Sequence, residues 1–227
     1  MEPGVFDNFA DKYDAWFRTP LGSQVDRMEK TLTWKLAMPR PGERVLDVGT
    51  GTGNYLMDLA RMGCDCTGLD IASNMLGYAR EKCLRAGLPV KLVLARSENL
   101  PFPPDRFDLV LSVTALEFFE DPTASIQEMK RVCRPGGRVV IGVLNAWSLW
   151  ATRRRIITWF KETIFTHCRF YNYRQLRSLL GEAEWGTAVF APPGCPSYLL
   201  PFFERMEPYF QRLLKPFGAY LVAVTRV

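Results

Sequence analysis

Short apolar runs alternate with amphipathic segments through most of this chain. Seven apolar runs predict strands, at 43–49, 64–70, 90–95, 107–114, 138–145, 186–192 and 219–227. Segments with a helical pattern predict helices, at 54–62, 73–87 and 121–134. Strands that alternate with helices of this length form parallel βαβ units. The pattern therefore predicts an α/β fold with a doubly wound, mostly parallel, seven-stranded sheet.

Three segments do not fit this alternation: residues 1–40, 146–180 and 192–218. The stretches 5–17 and 147–164 repeat aromatic residues at helical spacing, and arginines lie partly opposite them in the second stretch. We expect one domain over the whole chain, with a helical lid at 1–40 and a lid insertion at 146–180. Three interpretations of the aromatic stripes are open: packing on the sheet, a lid over an apolar small molecule, or contact with a membrane surface.

Composition places the chain among globular proteins, with 48% hydrophobic and 23% charged residues. The net charge of +5 is mild and the only tight basic cluster is Arg153–Arg155, so we expect no nucleic-acid partner. The N-terminal stretch has no apolar leader, and no apolar run reaches the ~18 residues of a spanning helix. We therefore expect a cytoplasmic protein, with membrane contact as a minor alternative.

The six cysteines are scattered along the chain and accompany a single histidine, His167. A metal site needs ligands at spacings that close around the ion, usually with histidine among them. The chain therefore predicts no metal site. Cys64 and Cys66 lie in a predicted strand, where residues two apart share a face, so we expect reduced cysteines in the core.

A glycine-dense turn follows the first predicted strand, in the stretch VLDVGTGTGNYLMDLA. Its spacing is Gly49-x-Gly51-x-Gly53, whereas a dinucleotide fingerprint has its third glycine where this chain has Asn54. Asp47 precedes the turn, and a fixed carboxylate is a poor neighbour for a pyrophosphate. It is a good neighbour for S-adenosylmethionine (SAM), which carries an ammonium and a sulfonium and no phosphate. The turn therefore favours SAM, the alternative being a tight connection without a ligand.

Asp70 ends the second predicted strand, seventeen residues after Gly53. In open α/β sheets a carboxylate at this place hydrogen-bonds a ribose diol. Such a contact suits SAM and NAD alike, and it would place an adenosine-like group across the carboxyl ends of the first two strands. The alternative is that Asp70 caps the helix that follows, as aspartate commonly does.

Four stretches together resemble the class I SAM-dependent methyltransferases. They are VLDVGTGTGNYLMDLA, GLDIASNML, ENLPFPPDRFDLVLSVTALEFFEDP and EMKRVCRPGGRVVIGV, in the order and spacing typical of that family. The resemblance spans residues 44–145 and is closest to the subgroup that includes the ubiquinone/menaquinone-biosynthesis enzymes. FDNFADKYDAWF near the start and RFYNYRQLRSLLGEA at 169–183 are also similar to that subgroup.

The resemblance implies roles for the matching residues. Gly49, Gly51 and Gly53 would line the methionine moiety of SAM, and Asp70 would take the ribose hydroxyls. Ile71 and Met75 would lie beside the adenine, with Ser97 and Glu98 at its edge, Ser112 and Val113 on the sulfonium side and Tyr13 closing over the cofactor. The candidate cofactor-binding residues are thus Tyr13, Asp47, Gly49, Thr50, Gly51, Gly53, Asp70, Ile71, Met75, Ser97, Glu98, Ser112 and Val113.

Two positions depart from the subgroup. Arg96 stands where relatives often have an acid that accepts from the adenine amino group, and arginine has no hydrogen-bond acceptor. Glu117 lies in a segment where many relatives have a histidine. It is the leading candidate for a general base, the alternative being a solvated acid at the start of a helix, and no catalytic residue is assigned.

The sequence therefore predicts a SAM-dependent methyltransferase that acts on a small, apolar or aromatic acceptor. Displacement at a sulfonium needs mainly alignment, and a base is needed only for certain protonated acceptors. Two alternatives stay open: an NAD-linked oxidoreductase, disfavoured by the glycine spacing and Asp47, and a non-catalytic protein that binds SAM as a sensor or scaffold. The acceptor, the methylated atom and the oligomeric state are left open.

Overall fold

A computed structural model describes residues 10–166 and 168–227, with side chains from Tyr13 onward. The helices among them are α1 (Ala10–Phe17), α2 (Pro20–Ala37), α3 (Asn54–Arg61), α4 (Ser73–Arg85), α5 (Pro122–Val132), α6 (Leu149–Phe160), α7 (Tyr173–Leu180) and α8 (Leu200–Leu213). The strands are β1 (Arg44–Val48), β2 (Asp65–Asp70), β3 (Val90–Leu94), β4 (Phe107–Val113), β5 (Cys133–Leu144), β6 (Glu184–Ala188) and β7 (Tyr220–Arg226). Short 3₁₀ turns lie at Leu116–Phe118 and Ser197–Leu199.

The strands form one sheet in the order β3-β2-β1-β4-β5-β7-β6. Strands β1 to β5 pair in parallel, and β7 runs antiparallel to its neighbours β5 and β6. In the register of β1, Asp47 lies opposite Gly68 of β2 and Leu111 of β4. The predicted fold, a mostly parallel seven-stranded α/β sheet, is confirmed.

The strand order reverses at β1, because the chain moves outward from β1 to β3 and then returns to place β4 on the other side. In open sheets of this kind, ligands bind beside the carboxyl ends of the strands at such a reversal. The glycine turn after β1 and the segment after β4 both lie there. The topology therefore brings these two loops together to form the candidate site.

Two hydrophobic cores lie on the two faces of the sheet. One contains Met28 and Leu32 of α2 together with the buried face of α3, and the other contains Met129 of α5 together with the buried face of α7. Neighbouring residues of β1 alternate between the cores, Val45 entering the first and Leu46 the second. Because both faces of β1 are covered, its sequence lacks the alternation of apolar and polar residues seen in half-exposed strands.

Helix α2 is a layer of the core and not a cover. The hydroxyl of Thr19 accepts from the backbone N–H of Gly22 at 3.0 Å, and Pro20 opens the first turn, so the helix has a defined start. Its buried face packs on β6 and β7. Of the segment predicted as an N-terminal lid, the described part that reaches the candidate site is α1. The N-terminal lid predicted over residues 1–40 is therefore limited to the residues that precede α2.

Two strands, β5 and β6, differ from the sequence prediction by more than one residue at an end. The run at 186–192 forms β6 earlier, at Glu184–Ala188, because Val189 adopts a left-handed conformation with φ of 68° and ends the strand. Strand β5 begins at Cys133 instead of Arg138, because Cys133 pairs with Phe107 ahead of an irregularity in the register. The sequence at 135–137, which predicted a break, lies within this irregular first part of β5.

The cysteines are free, and all are buried except Cys168, which is half-buried. The predicted core position of Cys64 and Cys66 is confirmed, and their reduced state stays a prediction. His167 lies outside the described residues. No helix within residues 10–166 and 168–227 is long and apolar enough to cross a membrane.

Candidate active site

The glycine turn after β1 presents backbone to a cleft. The N–H groups of Gly49 and Thr50 both donate to the carbonyl of Leu69, at 2.8 and 3.0 Å, which fixes the turn to the end of β2. Gly49 and Gly51 have φ values of 75° and 54°, a region that favours glycine. A Cβ at Gly49 would lie 2.4 Å from the Cβ of Ala115, whereas a Cβ at Gly51 would meet nothing within 4 Å. Gly51 therefore leaves bare backbone facing open space.

Two acids flank the turn. Asp47 is 2% exposed and accepts from the hydroxyl of Thr50 at 2.7 Å. Asp70 accepts from the backbone N–H groups of Gly51 at 2.8 Å and Ala72 at 2.9 Å. The N-cap of α4 is Ala72, so Asp70 orders the approach to that helix without being its cap. Both carboxyl groups lie in the wall of one cleft, which is an environment suited to a cation.

Burial raises the pKa of Asp47 to about 7. The hydrogen bond from Thr50 opposes this rise, and the nearby charge of Asp70 adds to it. The carboxyl of Asp47 is therefore poised to change its ionisation near neutral pH, and a positive charge brought into the cleft would favour its ionised form.

The cleft holds about 1190 Å³ of open space, including its mouth. All predicted cofactor residues except Gly53 and Ser112 line it: Tyr13, Asp47, Gly49, Thr50, Gly51, Asp70, Ile71, Met75, Ser97, Glu98 and Val113. The fold thus gathers side chains from α1, from the loops after β1, β2 and β3, and from the end of β4. Their roles toward a cofactor stay predictions.

Gly53 and Ser112 lie behind the cleft and not in its wall. Gly53 precedes α3 with a φ of 80°, and a Cβ there would lie 3.1 Å from the Cβ of Ala79, so this glycine lets α3 and α4 approach closely. Ser112 is fully buried within β4, and its hydroxyl has no hydrogen-bond partner among the described residues. In this structure both residues support the packing around the cleft.

Ser97 and Glu98 connect the loop after β3 to neighbouring elements. The hydroxyl of Ser97 lies 2.9 Å from that of Ser125 in α5. The carboxylate of Glu98 accepts from the backbone N–H groups of Glu120 and Asp121, at 3.1 and 3.3 Å. These contacts hold one wall of the cleft to the start of α5.

Arg96 also lines the cleft, between two acids. Its Nε lies 3.6 Å from Oε2 of Glu98, and its Nη2 forms an ion pair with Glu120. Two carboxylates therefore compensate the guanidinium, so that Arg96 does not make this wall repel a cationic ligand.

Helix α1 covers one side of the cleft. Tyr13 lines it and hydrogen-bonds Thr114, and burial raises the pKa of the Tyr13 phenol. The next residue, Asp14, accepts from the hydroxyl of Thr52 at 2.7 Å and pairs with Lys82 of α4 at 2.9 Å. The hydrogen bond from Thr52 ties α1 to the glycine turn, and the ion pair with Lys82 ties it to α4.

Glu117 is a buried acid and not a solvated one, so the solvated alternative is wrong. It is 1% exposed, and its Oε1 accepts from the backbone N–H of Leu144 at 2.6 Å. Burial raises its pKa to about 7, opposed by that hydrogen bond and by the charge of Arg154. Glu117 does not line the cleft, whereas the next two residues, Phe118 and Phe119, do. Its observed contact joins the 3₁₀ turn to the end of β5.

Sequence reasoning missed part of the cleft wall. Thr114 and Ala115 directly follow the predicted Val113, so the strand end itself was the signal for them. Ile164 ends the stretch 147–164, for which a lid over an apolar small molecule was one of the three open interpretations, but it was not named among the cofactor-binding residues. The apolar contribution of Phe118 and Phe119 was also missed.

Comparison with known proteins identifies the family. A family model described as a methyltransferase domain matches residues 46–141. The ubiquinone/menaquinone biosynthesis C-methyltransferase UbiE of Cupriavidus metallidurans is 31% identical over 182 residues, which cover 75% of this chain and 73% of that protein. The chain belongs to the class I SAM-dependent methyltransferases. The UbiE of Cupriavidus taiwanensis is 34% identical over 182 residues, which again cover 75% of this chain and 73% of that protein.

Solved structures agree with this methyltransferase fold. A SAM-dependent methyltransferase of Thermotoga maritima superposes with a TM-score of 0.74 at 22% identity, covering 98% of each chain. The predicted family, enzyme class and cofactor are thus confirmed, and SAM, not NAD, is the cofactor.

The residues of the cleft fit SAM. Gly51 has no side chain and faces open space, so a ligand can approach its backbone closely. Asp47 and Asp70 supply negative charge for a ligand with an ammonium and a sulfonium. Ile71 and Met75 offer apolar contact to an adenine ring. The donor set therefore agrees with the cofactor of the family.

Proposed function

We propose that this methyltransferase binds SAM through the glycine turn, Asp47 and Asp70, and transfers its methyl group to a small, apolar or aromatic acceptor. The observation that carries the proposal is the division of one cleft into two kinds of wall. Asp47 and Asp70 lie at the carboxyl ends of β1 and β2, and an apolar wall lies after β4, beside the polar residues Thr114 and Glu120.

The apolar wall consists of Val113, Ala115, Phe118, Phe119 and Ile164. Burial of apolar surface against such side chains contributes about 25 cal/mol per Å², which favours a ring or an alkyl group. A sugar phosphate or nucleotide would lose hydration there without gaining hydrogen bonds. The printed names of the relatives, C-methyltransferases of quinone biosynthesis, also support an aromatic acceptor.

In this proposal the chain binds the cofactor and the acceptor, orients them and excludes water from the cleft. SAM supplies a methyl group on a sulfonium that is already a good leaving group, so alignment provides much of the acceleration. Asp47 and Asp70 hold the cofactor in one orientation, which fixes where the methyl group lies. Tyr13 covers the cleft, and the Asp14–Lys82 pair stabilises the helix that carries it. The segment 146–180 covers the other side through Ile164.

The test is transfer of a labelled methyl group from SAM to a panel of probes. The panel contains phenols, quinols and alkylated rings on one side, and sugar phosphates, nucleotides and charged amines on the other. We expect turnover with the apolar aromatic probes. Preferential methylation of the nucleotides or sugar phosphates would contradict the acceptor class.

A matched pair of variants locates the acceptor wall. Phe118→Ala should lower kcat/KM for a ring probe by about tenfold, which corresponds to about 1.4 kcal/mol, and leave the Kd for SAM unchanged. Phe202→Ala removes a 54% exposed ring outside the cleft and should change neither quantity. Equal effects of the two variants would show that Phe118 does not contact the acceptor.

A further inference from the structure

Helix α6 turns an apolar stripe toward solvent. Leu149, Ile156, Trp159 and Phe160 are 66%, 47%, 80% and 84% exposed. On a helix with 3.6 residues per turn, these four side chains fall within an arc of about 100°. The stripe includes two large aromatic rings, those of Trp159 and Phe160, which do not pack in the core of the protein.

The opposite face of α6 already has its own partners. Ala151 is fully buried, and the indole Nε1 of Trp150 donates to the carbonyl of Ala191 at 2.7 Å. Arg154 also turns inward, with its guanidinium 5.4 Å from the centre of the Trp150 ring. The core therefore accounts for the inner face of the helix and leaves the outer stripe unexplained.

Arginines flank the stripe on both sides. By helical position, Arg155 borders the side of Trp159, and Arg153 borders the side of Phe160, and both are exposed. Exposed Lys161 follows the helix, and residues 149–161 contain no acid. The outer face of α6 is therefore apolar along its middle and positive along its margins.

Helix α8 has a similar arrangement with arginines on one side only. Its exposed residues Phe202, Tyr209 and Leu213 lie on one face, and exposed Arg205 and Arg212 border one side of that face. The first turns of α6 and α8 are joined through Ala191, which accepts from Trp150 and packs with Leu200. Two neighbouring helices thus show the same combination of exposed rings and arginines.

We propose that the outer face of α6, supported by α8, docks on the surface of an anionic lipid bilayer. An interfacial helix needs an apolar stripe that enters the acyl boundary and basic residues that reach the headgroups. Arginine pairs well with lipid phosphates, and each basic residue near an anionic surface improves binding by about fivefold. Ile164, four residues after α6, lines the cleft, so the docked face adjoins the site of methyl transfer.

Charge argues against a second copy of the chain as the occupant. If two α6 stripes met, Arg153 and Arg155 of each copy would approach the same arginines of the other, with no acid in residues 149–161 to pair with them. Like charges brought together across an interface oppose association. An anionic bilayer supplies the complementary charge and the apolar phase together.

Co-sedimentation with vesicles tests the proposal. The full chain should bind phosphatidylcholine vesicles that contain phosphatidylglycerol, bind pure phosphatidylcholine vesicles much more weakly, and dissociate as salt is raised. The double variant Trp159→Ser/Phe160→Ser should bind the anionic vesicles at least tenfold more weakly. Arg153→Glu/Arg155→Glu should weaken binding by about 25-fold or more.

The matched control is Leu84→Ser/Arg106→Glu, which changes an exposed apolar and an exposed basic residue away from α6 and α8. It should bind vesicles as the unchanged chain does. All variants should bind SAM and methylate a water-soluble probe as before, because the changed residues do not line the cleft. Equal binding to neutral and anionic vesicles, or no effect of the α6 variants, would overturn the proposal. A concentration-dependent dimer that Trp159→Ser/Phe160→Ser abolishes would assign the stripe to self-association instead.

Discussion

The affinity of the enzyme for SAM should depend on pH through Asp47. Burial raises the pKa of this carboxyl to about 7, so it is half protonated near neutral pH in the free enzyme. A cationic cofactor favours the ionised carboxylate, so binding should release a proton. The affinity should therefore rise with pH until Asp47 is fully ionised.

The size of the effect follows from the pKa. With a value of about 7, the ionised fraction grows from about one tenth at pH 6 to about nine tenths at pH 8. If SAM binds the ionised form, the Kd should fall about tenfold over this interval, or about 1.4 kcal/mol. A unit charge about 5 Å from the carboxylate, at an effective dielectric constant of about 20, contributes about 3 kcal/mol. That is enough to keep Asp47 ionised in the complex.

Calorimetric titration with SAM at several pH values measures both the Kd and the number of protons released on binding. Buffers with different ionisation enthalpies give the number of protons released, and the Kd gives the affinity. Asp47→Asn is the control, because it keeps the side-chain shape and cannot ionise. The amino group of SAM also titrates, with an ordinary pKa of about 8. It affects the pH dependence of binding in both proteins, so the difference between them reports on Asp47. If the unchanged enzyme and the variant show the same pH dependence, Asp47 is not coupled to the cofactor.

Two further substitutions probe other residues of the cleft. Asp70→Asn should weaken SAM binding by about 1.5–3 kcal/mol, because a charged acceptor is replaced by a neutral amide, and calorimetry should show NAD binding to neither form. An unchanged Kd would exclude Asp70 from the ribose site. Arg96→Ala should change the Kd for SAM by less than about tenfold, since its guanidinium pairs with Glu98 and Glu120. A larger loss would indicate direct contact between Arg96 and the cofactor.

Much of the fold could be predicted because its signals are local. The alternation of apolar runs with helical segments identified the βαβ units, and the glycine turn with Asp70 identified the edge of the sheet that carries the site. The strand boundaries at Val189 and Cys133 could not be predicted in this way. The first depends on a left-handed backbone conformation at Val189, which is not a glycine. The second depends on the pairing of Cys133 with Phe107 in the neighbouring strand β4.

The site was predictable where a residue belongs to a motif and not where its role depends on distant parts of the chain. Glu117 is buried with its carboxylate accepting from the backbone N–H of Leu144 at the end of β5, and nothing near Glu117 in the sequence indicates that contact. Ile164 reaches the cleft from a segment outside the βαβ pattern. Ser112 and Val113 are adjacent in β4, so their side chains point to opposite faces of the sheet. Of the two, Val113 lines the cleft.

A crystal structure of the enzyme with S-adenosylhomocysteine, the product of methyl transfer, tests the central claim most directly. The account predicts the ribose hydroxyls within hydrogen-bond distance of the Asp70 carboxylate and the amino-acid end against Gly49 and Gly51. It also predicts the sulfur on the side of Val113, open to the apolar wall. A ligand bound outside this cleft, or one whose ribose makes no contact with Asp70, would contradict the account.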